Sequence, residues 1–153
     1  MKNEALAIQS SMEADTATRA LARARARAFG EFVREIPFAA ALLDRDLTLV
    51  AVSREWAQQG IAAGVAIGGD AGAGGLVAPE DAGVLLACAE EGVPFSRYLP
   101  TLDANGVQHV WRTEFSACQD AGENYAVMIT ARDVTGYAES VLRAERDQQR
   151  LKM

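Results

Sequence analysis

The side chains capable of chemistry are few and widely spaced. His109 is the only histidine, set in "QHVW" on the face of Trp111, which places it in the core or at a strand edge. A phosphoacceptor histidine would sit on a helix in an acidic context, and His109 does not. Cys88 and Cys118 are too few and too far apart for a metal knuckle or a disulfide framework. Cys88, in "LLACAEEG", reads as a small buried residue on an apolar helix face. Cys118 has no obvious cation beside it to favour the thiolate. The stretch "GGDAGAGG" is not followed by Lys-Ser/Thr, and Asp70 would repel phosphate, so it reads as a mobile lid and not as a nucleotide loop. The carboxylate pairs Glu80-Asp81 and Glu90-Glu91 fit solvated helix faces better than a general acid/base pair. No catalytic constellation and no metal site is expected.

The elements that position these residues follow from composition and spacing. A chain of 153 residues is one domain with appended segments. The net charge of −6 argues against nucleic acid as a partner. No run approaches a membrane span, and the N-terminus lacks an apolar signal core, so a cytoplasmic protein is expected. Residues 1–35 form a first block, with about twelve residues of disordered terminus before a helix over 13–35. In that helix Ala22, Ala26, Phe29, Val33 and Ile36 recur at 4-3-4-3 spacing, one apolar stripe, and Pro37 ends it. Arg19, Arg23, Arg25, Arg27 and Arg34 wrap round it, a pattern suited to antiparallel or intersubunit charge pairing with Glu139, Glu145 and Asp147 of the last helix and less to a lipid surface.

Residues 36–134 form the domain proper. "FAAALLD" and "LTLVAVS" read as two strands joined by a tight turn, and Ser53 suits the N-cap of a short helix. "APEDAGVLLACAEEG" reads as a second helix, with Pro79 at its start and Gly92 at its end. Three strands follow, the first two joined through Asn105-Gly106 and the last two around Gly122. The fold class is α+β: a five-stranded antiparallel sheet with helices inserted between strands 2 and 3. Residues 135–153 form a charged terminal helix. Its apolar positions Tyr137, Val141, Ala144 and Leu151, interrupted by Gln148, make a short heptad seam.

That order resembles a PAS domain, over roughly residues 36–136. "ALLDRDLTLVAVSREW" is similar to the family's opening hairpin, with Ser53 where the family usually has Asn. "LVAPEDAGVLL" is similar to its proline-plus-acid helix start, and "ARDVTGYAESVLRAE" to its closing motif before a signalling helix. The resemblance implies a non-enzymatic sensor that couples a small-molecule or conformational signal to a partner such as a histidine kinase. It implies Asp133 and Thr135 as the relay from last strand to signalling helix. Leu43, Val50, Trp56, Trp111, Phe115, Val127 and Ile129 could enclose a pocket for a small apolar ligand, or could simply fill the core. A homodimer is expected through Ala22, Ala26, Phe29, Val33, Tyr137 and Val141, the alternative being that both terminal helices fold back on the chain's own sheet. Haem is not expected, because the inserted helical region has no histidine. Flavin is not expected, because Cys88 does not stand in the light-sensing cysteine motif. A ligand-free interaction adaptor of the same fold, or a small ligand carrier or enzyme, are the alternatives.

Overall fold

The computed structural model describes residues 2–72 and 76–151. Helix α1 (Lys2–Glu35) leads into strands β1 (Ala40–Asp44) and β2 (Leu49–Val52). Helices α2 (Arg54–Gln58) and α3 (Ala82–Glu91) come next, with a 3-10 turn over Pro79–Asp81. Strands β3 (Phe95–Leu102), β4 (Gln108–Asp120) and β5 (Glu123–Asp133) follow, and helix α4 (Thr135–Leu151) closes the chain. The strands form one antiparallel sheet in the order β2-β1-β5-β4-β3, so the last strand is central and sits beside the first.

Local chemistry accounts for these boundaries. Ser53 is fully buried, and its Oγ accepts from Trp56 N at 3.3 Å, capping α2. The same hydroxyl accepts from Ala40 N at 2.9 Å and donates to Phe38 O at 2.7 Å, tying the start of β1 to the end of β2. Gly92 ends α3 at φ 75°, the left-handed region where a side chain would be strained. The two-residue turn Ala121-Gly122 takes φ 53° and 80°, as a tight hairpin between right-twisted strands requires.

The sheet carries a core on each face, over all of one face and over β1, β2 and β5 of the other. On one side Leu43, Leu49, Trp56, Leu85, Phe115 and Ile129 belong to a core closed by α2, α3 and the segment between them. On the other, α1 lies over β1, β2 and β5 and packs Ala26 and Val33 against Ala40, Leu42, Ala51 and Ala126. Gly30 permits the close approach: a Cβ there would stand 3.2 Å from the Ala51 Cβ.

Three expectations are corrected here. Helix α1 does not begin near residue 13 after a disordered terminus; it is helical from Lys2. The hydroxyls of Thr16 and Thr18 bond back to Met12 O and Ala14 O, both at 2.9 Å, so these weak helix formers stay within the helix. The glycine-rich stretch falls partly on 73–75, outside the described residues. Its described part is no free lid, because Leu49 N donates to Gly69 O at 3.0 Å, Gly68 N to Leu49 O at 2.8 Å and Ala71 N to Leu47 O at 3.0 Å. Finally, within the chain and among the described residues, the α1 arginines do not pair with α4. Arg23 meets Asp46 and Arg25 meets Asp120, each at 3.2 Å, and Arg34 meets Glu31. Nor do they all wrap round the helix: Arg23, Arg27 and Arg34 line one cleft beside β2.

Candidate signal-relay site at the strand–helix junction

Strand β5 ends at Asp133 and α4 begins two residues later, leaving Val134 as the whole connection. The first N–H groups of a helix lack intrahelical acceptors, and Asp133 supplies one: its Oδ1 accepts from Thr135 N at 2.9 Å and also from the Thr135 hydroxyl. Thr135 Oγ1 in turn accepts from Val110 N at 2.9 Å, and Val134 N donates to Val110 O at 2.8 Å. The root of α4 is thus bonded to β4 as well as to its own strand.

His109 extends this network to the β3–β4 hairpin. Its Nδ1 lies 3.0 Å from Asp133 Oδ2, and its Nε2 lies 3.1 Å from Asp103 Oδ2. Asp103 holds the hairpin loop through its other oxygen, which accepts from Asn105 N and Val107 N, both at 2.9 Å. The site is half-exposed, with side-chain accessibilities of 27% for His109, 32% for Asp103 and 41% for Asp133.

Both ring nitrogens face carboxylate oxygens that only accept, so the doubly protonated imidazolium satisfies both contacts and a neutral tautomer satisfies one. The hydrogen bond with Asp103, then that with Asp133, holds the His109 pKa above its ordinary value. The Thr135 hydroxyl, more than any other group, holds the Asp133 carboxyl below the usual carboxylate range. For Asp103 the leading cause of the same downward shift is the Val107 N–H. The arrangement connects the β3–β4 hairpin to the root of α4 through an unbroken set of hydrogen bonds.

Asp133 and Thr135 therefore stand together, as the sequence placed them. His109 was not assigned to them, although the pairing register carries the signal. Asn105-Gly106 sets Thr101 opposite His109, and β4–β5 pairing sets Trp111 opposite Asp133, so both carboxylates neighbour the ring. Trp111 Nε1 donates to Thr101 Oγ1 at 3.0 Å beside it.

Of the pocket candidates, Leu43, Trp56, Trp111, Phe115, Val127 and Ile129 lie together in the core under α2 and α3, each at most 5% exposed. Phe95 stacks on Phe115 with ring centroids 4.3 Å apart, so aromatic carbon occupies this region. Val50 does not join them; it packs with α1 on the opposite face. Beside Trp56 an open cleft of about 300 Å³ is lined by Leu49, Val52, Ile61, Val65 and Ile67.

Among the dimer candidates, Ala22, Ala26, Phe29 and Val33 are turned toward the chain's own sheet, with Ala26 and Val33 wholly buried. This stripe is thus not a free pairing surface. Tyr137 and Val141 of α4 are 68% and 37% exposed. Leu151, at the end of the α4 seam, lies outside the residues whose side chains are described. Burial pushes both thiols up, Cys118 to about 11, so neither is a ready thiolate at neutral pH. Among the described residues no group of three or more His, Cys, Asp or Glu could hold a metal ion, and no helix is long and apolar enough to cross a membrane.

No protein-family model matches the sequence. No curated protein matches it either. Solved structures do match its fold. The PAS domain of Bordetella pertussis BvgS superposes with a TM-score of 0.51 at 17% identity, over 80% of this chain and 94% of that one. An RNA-binding Light-Oxygen-Voltage receptor gives 0.55 at 14% identity, over 80% of this chain and 38% of the receptor. A Light-Oxygen-Voltage domain structure with a flavin analogue gives 0.51 at 16% identity, over 79% and 96%. The strand order with β5 central, the helices inserted after β2, and these likenesses agree: the chain has the fold of a PAS domain.

Proposed function

We propose that this chain is a sensory PAS module whose output passes through the β4–β5 core into α4. The observation that supports this is the continuous network Asp103–His109–Asp133–Thr135, which joins a surface hairpin to the root of α4. The module is non-enzymatic, pairs with a second copy through its flanking helices, and hands its signal to a partner such as a histidine kinase in the cytoplasm. Asp133 and Thr135 are the relay residues, and His109 belongs with them.

The test is whether a change in the hairpin is felt in α4. Asp103→Asn should alter amide exchange in the first turn of α4, which Asp103 does not touch. Unchanged exchange there would end the relay reading.

The packed interior around Phe115 favours a second reading, a ligand-free interaction adaptor with the same output helix. Native mass spectrometry separates the two. A small mass that is carried by the protein and lost on denaturation supports a ligand sensor, with the cleft beside Trp56 as its place. A bare chain supports the adaptor.

A further inference from the structure

Helix α1 has a second apolar stripe that its own sheet does not use. At 100° per residue, Leu6, Ala14, Ala17, Leu21, Ala28 and Phe32 fall within about 80° of one another, roughly 130° round from the buried stripe. Leu6, Leu21 and Phe32 are 61%, 51% and 72% exposed. The stripe faces the side of α1 on which Arg25 reaches Asp120 at the end of β4. On that side the outer face of β3 and β4 remains uncovered, with Tyr98 62% exposed.

The helix is also divided by charge. Residues 2–17 carry one lysine against three acids, net −2, and residues 18–35 carry five arginines against two glutamates, net +3. Two such helices side by side in parallel would set like charge on like. Antiparallel, each acidic half meets a basic half.

From this we propose that α1 pairs antiparallel with α1 of a second copy through the outer stripe. Ala14 then faces Ala24 of the second copy, Ala17 faces Leu21, and Leu6 covers Phe32. The small side chains let the two backbones approach closely. In this register Glu13 comes beside Arg27 of the second copy, and Arg27 has no ion-pair partner in its own chain among the described residues. The contact runs over about 40 Å of helix. The inference rests on the proposed pairing of two copies and assigns its face and direction.

Full-length chains carrying Ala14→Cys and Ala24→Cys, tagged to differ in mass, would be mixed and oxidised, with the unsubstituted chain as control for the native thiols. The expected product is the 14–24 heterolink. A 14–14 link would overturn the antiparallel arrangement while leaving pairing of two copies intact. A monomer by light scattering at every concentration would remove both. Because Leu21 and Glu13 are exposed, Leu21→Asp should give monomer with an unchanged melting curve. Glu13→Arg should raise the dissociation constant several-fold, and Glu13→Arg with Arg27→Glu should restore it. Dimers that withstand Leu21→Asp would refute the proposal.

Discussion

Replacing Asp133 with Ala tests how the strand holds its helix. The substitution removes the acceptor for Thr135 N at 2.9 Å, the acceptor for the Thr135 hydroxyl, and one of the two carboxylates on His109. Losing a helix N-cap costs about 1 kcal/mol in typical cases. The carboxylate is 41% exposed, so its ion pair with His109 adds little beyond the cap. The described side chains of residues 139–150 are exposed, so no burial compensates within α4. About 1 kcal/mol is a roughly fivefold change in an equilibrium constant. Amides in the first turn of α4 should therefore exchange about five times faster. Those of Val127 and Ile129, buried in β5, should exchange at the original rate. The assay is hydrogen exchange by NMR or mass spectrometry at fixed pH. Equal loss of protection in β5 would mean that Asp133 supports the sheet, and an unchanged α4 would mean that it holds nothing. Either result refutes the relay.

The junction should also respond to pH. His109 has a raised pKa, so its attraction to the two carboxylates is complete below its ordinary value of 6.5 and is lost as pH rises through the folded value. Asp103 and Asp133 have lowered values, so their share is complete above 3.8 and is lost as pH falls through the folded values. NMR titration should place the ring midpoint above 6.5, and α4 exchange, corrected for its intrinsic rate, should quicken above that midpoint; His109→Gln should abolish the quickening. Ser53→Ala leaves a buried Ala40 N–H unpaired and removes the α2 cap, and should cost about 2 kcal/mol in urea unfolding; a loss within error would show that Ser53 is incidental. Phe115→Ala, at a position 1% exposed and stacked on Phe95, should cost about 3–5 kcal/mol. A much smaller loss would show that the interior collapses or already holds space, which would revive the pocket.

What the sequence revealed depended on how local the determining interaction was. The Asn105-Gly106 turn, the Ser53 cap and the Gly92 stop each act within a few residues, and each is where its residue type puts it. The face of Val50 was not legible. The register shifts between Leu42 and Leu43, and one extra residue in a strand reverses which side its neighbours point to. The start of α1 was obscured by Ser10, Ser11, Thr16 and Thr18, whose propensities argue against a helix that the chain nevertheless continues through. Periodicity marks a stripe for burial without naming its partner: the 4-3-4-3 stripe suits the expected dimer seam, but the chain's own sheet, the alternative, covers it. His109 needed the pairing register, which brings one carboxylate from the β3–β4 loop and another from the end of β5 to its ring.

The seat of α1 has a mechanical consequence. The helix comes close to the sheet at Gly30, where only small atoms separate it from Ala51, while Leu6 lies 24 residues away, about 36 Å along the helix. A rotation of about 5° at Gly30 swings Leu6 through roughly 3 Å, close to the diameter of a water molecule. Small adjustments of β1 and β2 beneath Gly30 are therefore geared up at Leu6. The long arm converts an angle too small to disturb the core into a displacement large enough to make or break a contact between side chains.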